Sequence, residues 1–429
     1  MPNNDTSSTP SATKLGIFIS MFPELHETFI LRELVALERR GIDFTIYSLQ
    51  YPRDEITLDD AIRLTRERTE YGSLLAPKAL AAFAATLVRH PVKVIGAMAK
   101  VIWNGRDRPV EVIKSLAILP LSLQFGRHAR ANGVTHLHGH WANVPTTACW
   151  YLQQIMGFSW SAAIHGEDIF SANRFLPYKL DKAEFSVVCS GYFCNHLQHK
   201  IGLQKPTDVH LNYHGLDPKV MALSAQTTFN PRASNDPFRI ISIGRLVPTK
   251  GHDTVLNAVA QVVRESTVDI HLDLVGYGPD EATLRQLVAS LGLEEHVHFT
   301  GGLAFEEVLA HLVKANAFAL APRMIPGQPP DGIPNVIAEA MILRLPVVTT
   351  RVSAIPELVE DGVSGHLVPV DNVEDFATAL RKLIDDPAHA KTISDAGFAK
   401  VSDLFDQQKN IDELLELFER YGALPRRVA

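Results

Sequence analysis

The stretch 322–341 reads PRMIPGQPPDGIPNVIAEAM, and the rest of the chain is organised around it. Its first half is crowded with Pro322, Pro326, Gly327, Pro329, Pro330, Gly332 and Pro334. Proline fixes φ and lacks a backbone donor, so regular structure is expected only from about Pro334, where a proline suits the first turn of a helix. The helix predicted over 335–343 is apolar nearly all round and should be buried. Glu339 is its one charge, and a buried carboxylate needs a partner. Asp331 stands just before the helix start, where free N–H groups on and after Gly332 make an anion site. An anion cradle flanked by two carboxylates suits a ligand carrying both phosphate and sugar hydroxyls. A buried helix whose Glu339 pairs with a structural Arg or Lys fits the same residues.

Outward from this stretch, composition sets the bounds. At 429 residues the chain is too long for one ordinary core, and two domains are expected. A hydrophobic content of 46% and a charged content of 21% describe a globular protein. The net charge of −7 argues against general nucleic-acid binding. Three cysteines, Cys149, Cys189 and Cys194, form neither a CxxC pair nor an even framework, which fits a reducing cytosol. The polar start has no apolar signal core and no stretch has the apolar length of a membrane span, so a cytoplasmic or peripheral membrane location is expected.

Strand and helix patterns alternate along the chain, which predicts parallel α/β layers. Residues 1–13 read as a disordered tail and 14–217 as a first Rossmann-like domain. Residues 218–237, with Pro231, Ser234, Asn235, Asp236 and Pro237, read as a linker. A second Rossmann-like domain follows over 238–400, and 401–429 should form a helix returning to the first. Ligands in such sheets sit at the carboxyl ends of strands. That rule singles out the 21–28 loop after the strand at 15–20, with His26, Glu27 and Thr28, and His140 at the end of VTHLHGHW. His136, His138 and His140 alternate along that strand, yet no nearby carboxylate or cysteine completes a metal set, so no metal site is expected. His165 directly follows the buried strand 160–164. Gly244-Arg-Leu-Val-Pro-Thr-Lys-Gly251, between a strand and a helix, is a phosphate-binding arrangement without Walker A spacing. From 78 to 108 there are six Lys or Arg and one acid, Asp107. Basic residues interleaved with apolar ones and Trp103 suit a surface helix on anionic lipid. A solvated helix pair fits them too.

Asp331-Gly332-Ile333-Pro334 through Glu339-Ala340 resembles the acidic signature of the retaining nucleotide-sugar glycosyltransferases of the GT-B fold, family 4 of that classification. The family has Glu where this chain has Asp331. The loop 244–251 is similar to the family's Gly-Arg-Leu…Lys-Gly loop, and the resemblance covers most of 15–420. It implies two Rossmann-like domains facing across a cleft, the second holding a nucleotide-diphosphate sugar and the first a glycan or lipid-linked acceptor. It assigns the donor diphosphate to Arg245, Lys250, Gly332, Ile333, Pro334 and Asn335, and the ribose to Glu339. Gly276, Gly278, Gly302 and Leu303 fall near the nucleotide base, and His165 and Asp331 at the reacting centre. Where the family carries a Gly-Gly pair in its first loop, this chain has His26-Glu27-Thr28. The implied reaction is glycosyl transfer with retention, without metal or other cofactor, of the kind that builds bacterial exopolysaccharide or lipopolysaccharide. A nucleotide-sugar epimerase of the same fold and an inactive nucleotide-sugar sensor or scaffold remain open, as do the base, the sugar and the acceptor.

Overall fold

Among the described residues thirteen strands alternate with helices, and the strands of each sheet are joined by helical crossovers, as apolar strand–helix alternation dictates. The computed structural model describes residues 13–24, 27–53, 58–170, 174–233, 235–328 and 330–426. The tail expected at 1–13 therefore lies, except for Thr13, outside the described residues, as do His26, Pro329 and Ser234.

The first sheet contains β1 (Lys14–Met21), β2 (Asp43–Gln50), β3 (Thr69–Tyr71), β4 (Val134–His140), β5 (Ser159–Ile164), β6 (Ser186–Val188) and β7 (Val209–Leu211). Their order is β3-β2-β1-β4-β5-β6-β7, and every pairing is parallel. The second sheet contains β8 (Phe238–Ile243), β9 (Ile270–Val275), β10 (Val297–Gly301), β11 (Ala317–Leu320), β12 (Val347–Thr350) and β13 (His366–Val368). It runs β10-β9-β8-β11-β12-β13, again parallel. In each sheet the winding direction reverses next to the first strand, between β1 and β4 and between β8 and β11. Loops leaving those neighbours diverge and open a crevice at the strand ends, the site rule for such sheets.

The chain divides into two units. One comprises Met1–Cys189, Cys194–Asn212 and Gln408–Ala429, and the other Ser190–Phe193 and Tyr213–Gln407. The first unit thus includes most of the final helix, Gln407–Arg420, whose Ile411, Leu414, Leu415 and Phe418 share a core with Leu15, Ile17 and Ile19. Arg40 pairs with Asp412 and donates to the Gln408 side chain at 2.6 Å. The helix before it, Pro387–Leu404, belongs to the second unit, so the division falls at 407/408 and not at 400/401.

The stretch read as linker also differs. Pro218–Ser224 is a helix, capped by Asp217 accepting from Lys219 N at 2.8 Å, and its Val220 is fully buried in the second core. An Asp–Pro pair at N-cap and N1 is the signal that marks it. Sequence reading likewise passes over the helix Asp59–Arg68 and the three-residue β3, because both are strongly polar.

Candidate active site

In the second unit the switch point between β8 and β11 brings two loops together by backbone packing. Gly251 has φ +66°, and a Cβ there would meet Ala321 O at 1.8 Å. Arg323 N donates to Thr249 O at 2.9 Å. Gly276, φ +138°, lies so close to Gly244 O that a Cβ would sit 2.0 Å from it. Leu246 N donates to Tyr277 O at 3.0 Å, and Gly276 N to Gly301 O at 2.9 Å. The loops after β8, β9 and β10 are therefore one hydrogen-bonded assembly.

Side chains of opposite charge meet on this scaffold. Lys250 Nζ lies 2.8 Å from Asp331 Oδ2, joining the loop after β8 to the proline-rich loop after β11. Arg245 is exposed and, among the described residues, takes part in no ion pair. Behind it His252, at the start of the helix His252–Glu265, contacts Ser242 Oγ at 3.2 Å and Arg245 O at 3.3 Å. Burial pulls the His252 ring down to about 4, so it is neutral at pH 7. Arg323 holds Asp253 and Asp371 and donates to Thr254 Oγ1 at 2.8 Å, bracing the same helix start. The acidic stretch behaves as its residues dictate: loop to Pro334, then the helix Asn335–Ile342. Gly332 faces the ring of Phe193, Ile333 is half-buried, and Asn335 is exposed at the first helical position. Glu339 is buried on that helix at 8% exposure. Gly302 packs under the ring of Tyr277, which is 64% exposed, and Leu303 follows it at the rim.

In the first unit His165 follows β5 and is 6% exposed. Its ring centroid lies 4.4 Å from Trp141, 4.9 Å from Phe29 and 6.3 Å from His140. Trp141 has φ 73°, a left-handed conformation that is strained for a bulky residue. Two buried charges hold it. Asp168 Oδ2 accepts from Ala142 N at 2.7 Å and from His165 N at 3.3 Å. Lys179 Nζ donates to Ala142 O, Asn143 O and Thr147 Oγ1 at 2.7, 3.0 and 3.1 Å. Burial brings the Lys179 ammonium down to about 7, against the raising effect of Asp168. Glu27 stands at the N-cap position of the helix Thr28–Arg39, and Thr28 is its first residue.

One reading needs correction. His140 does not line a loop; it is fully buried with its Nε2 3.2 Å from Glu33 Oε1. A carboxylate does reach the histidine strand: it is Glu33, and the ligand atoms of Glu33, His138 and His140 lie within 4.8 Å of one another. His136 and His138 bond to Ser159 and Ser161 hydroxyls at 2.7–2.9 Å. Burial pushes both rings to about 3, so both are neutral.

Residues 225–400 match the family described as glycosyl transferases group 1. The amylovoran biosynthesis glycosyltransferase AmsK of Erwinia amylovora is 26% identical over 422 residues, covering 95% of this chain and 99% of that protein. The putative colanic acid biosynthesis glycosyltransferase WcaL of Escherichia coli K12 is 29% identical over 420 residues, with 95% and 99% covered. Residues 225–400 of this chain are a glycosyl transferases group 1 domain. Its fold is that of the solved glycosyltransferases: Anabaena Alr3699/HepE in complex with UDP superposes with a TM-score of 0.67 at 17% identity, covering 95% of this chain and 100% of that one.

Four residues that shape the candidate site are not marked in the sequence. Lys179 is hidden because its partners lie 32 to 37 residues away. Glu33 is hidden by a separation of about a hundred residues from the histidine strand. Tyr277 stands between Gly276 and Gly278, where the glycines alone draw notice. Glu357 accepts from Gly191 N, Tyr192 N and Tyr213 Oη at 2.8, 2.6 and 2.7 Å, within the second unit. In the sequence it stands in Ala354-Ile-Pro-Glu357, where nothing nearby marks its partners.

Proposed function

We propose that this glycosyltransferase moves a sugar from a nucleoside-diphosphate donor to a glycan or lipid-linked acceptor in the synthesis of a bacterial surface or secreted polysaccharide, with retained anomeric configuration and without a metal. The observation that carries the reading is the Lys250–Asp331 pair at 2.8 Å beside the unpaired Arg245, at the strand ends of the second sheet. An ammonium has three donors, so Lys250 can hold Asp331 and a phosphate oxygen together. Two cations and the helix start at Asn335 neutralise a departing diphosphate as a divalent metal would elsewhere. The names of AmsK and WcaL place those relatives in amylovoran and colanic acid biosynthesis, and HepE was solved with UDP and with UDP-glucose; these support the donor class and the pathway type. His165, in its aromatic box, is the group of the first unit assigned to the sugar side of the reaction.

Incubation with a panel of UDP- and GDP-sugars should raise the melting temperature with at least one donor, because ligand bound only to the folded state stabilises it. Transfer with that donor should persist in EDTA. Activity that vanishes and returns with Mg²⁺ or Mn²⁺ would overturn the metal-free assignment.

The two acids should separate kinetically. Glu339 lies on a rigid buried helix and is assigned to the ribose hydroxyls, a contact alike in ground and transition states. Glu339→Gln should raise the donor KM about 10- to 100-fold, the loss of charged hydrogen bonds of about 1.5–3 kcal/mol. Asp331, on the loop, is assigned to the sugar, where positive charge develops as the diphosphate leaves. Asp331→Asn should therefore mainly lower kcat. Steady-state kinetics with donor varied decides this: a KM effect confined to Asp331→Asn reverses the two roles.

A further inference from the structure

Of the sixteen large apolar side chains exposed among the described residues, ten lie between Leu74 and Ile113. This segment holds the helices Pro77–Arg89, Pro91–Gly105 and Pro109–Ala117, all within the first unit. Each starts with proline at N1 or N2, which suits a short helix following tightly on its predecessor. The middle helix shows the anomaly best. Val94, Ala97 and Val101 are buried, while Val92, Ile95 and Trp103 face solvent. A helix apolar on both faces is ordinarily enclosed. Here one face is covered by the unit and the other is not; Val92 is 83% exposed and Trp103 68% exposed, and Val88, near the end of the preceding helix, is 83% exposed. Exposed apolar side chains gathered on three successive helices mark an interaction site.

Charge narrows the partner. Lys78, Arg89, Lys93 and Arg108 are all exposed on these helices or at their ends, and none takes part in an ion pair among the described residues. The Arg106 guanidinium lies 4.6 Å over the Trp103 ring. The acids are otherwise engaged: Glu111 pairs with Lys114 at 2.9 Å, and Asp107 accepts from Arg174 N at 3.3 Å. The cationic segment stands out on a chain of net charge −7. Apolar stripes fringed by unpaired cations, with a tryptophan among them, match the boundary between acyl chains and anionic headgroups. The first two helices are bent by 111° to one another, and no single helix among the described residues is long and apolar enough to cross a bilayer. Their geometry suits lying in an interface.

We propose that these three helices dock the protein onto an anionic lipid bilayer, their outer apolar stripes entering the acyl boundary and Lys78, Arg89, Lys93 and Arg108 meeting lipid phosphates. The apolar stripe makes this more than electrostatic adsorption: salt should weaken the attachment without abolishing it. Binding is the readout, so the inference stands apart from the transfer reaction.

The test uses the full chain and vesicles of mixed phosphatidylglycerol and phosphatidylcholine, against phosphatidylcholine alone, at low and high salt. Wild type should float with the mixed vesicles at both salts, and brominated lipid should quench a component of fluorescence that Trp103→Phe removes. Val92→Ser/Ile95→Ser/Ile113→Ser, all exposed positions, should keep the wild-type melting temperature and lose about 100-fold in affinity at both salts. Arg89→Gln/Lys93→Gln/Arg108→Gln should lose about fivefold per cation at low salt and much less at high salt. Absence of binding to the mixed vesicles, or binding with Trp103 unquenched, overturns the proposal. Self-association in lipid-free buffer that the apolar triple variant abolishes would assign the surface to a second copy instead.

Discussion

Lowering the pH from 7 to 5 should destabilise each of the two units by about 4 kcal/mol, a large share of the roughly 5–15 kcal/mol that holds a domain folded. The cause is four histidines kept neutral in the interior. Burial depresses His136 and His138 in the first unit to about 3, and His252 and His366 in the second to about 4, from an ordinary value near 6.5. The folded pKa lies below the unfolded one, so in acid the unfolded chain binds protons that the folded chain refuses. Stability is therefore complete above about pH 6.5 and is lost progressively as pH falls toward 4 to 3. Each group costs about 1.4 kcal/mol per pH unit inside that window, or about 2 kcal/mol at pH 5. All four tryptophans, Trp103, Trp141, Trp150 and Trp160, lie in the first unit. Urea titrations followed by tryptophan fluorescence thus report that unit, and far-ultraviolet circular dichroism reports both. His252→Asn should flatten the pH dependence of the second unit alone. A urea midpoint that stays constant from pH 7 to 5 would remove the basis of this argument.

Lys250→Met should lower kcat/KM by about 100- to 1,000-fold, the range found when one preorganised donor is taken from a developing negative charge. The Lys250 side chain is 13% exposed and already fixed by Asp331, so little reorganisation is needed when charge appears on the leaving diphosphate. Lys250→Arg keeps the charge but spreads it over a planar fork, and should recover only part of the activity. Because Lys250 and Asp331 touch, their losses should not add. In a double-mutant cycle, Lys250→Met with Asp331→Asn should cost less than the two single changes combined. Additive losses would mean the pair seen in the structure is not used in the reaction.

Much of this site was legible because its chemistry is local. Pro322 to Pro334 could only be loop, Asn335 onward could only be a buried helix, and Gly244–Gly251 sits between a strand and a helix where a phosphate loop belongs. Strand alternation likewise marked His165 as a strand-end residue. Contacts that depend on chain crossing were not legible. Glu33 reaches His140 from a helix whose own periodicity explains it as a surface residue, and His140 is fully buried at the end of its strand. Lys179 reads as an ordinary charged helix residue; only the fold reveals that it satisfies the carbonyls of Ala142 and Asn143 beneath a strained Trp141. The apolar helices from Pro77 to Ala117 carried the right hydrophobicity, yet only the structure separates the face that is covered from the face that is not.

The passage of the chain between units also sets the order in which they can be finished. Leu15, Ile17 and Ile19 leave the ribosome about four hundred residues before Leu414, Leu415 and Phe418, which share their core. Between them the ribosome must make all of Tyr213–Gln407, which at about 5–20 residues per second takes on the order of tens of seconds. Throughout that interval the first sheet has an apolar face without its cover. The second unit needs only a contiguous stretch of chain plus Ser190–Phe193, already synthesised, and can close as soon as it emerges. The unit whose strands are translated first is thus the unit whose core is completed last.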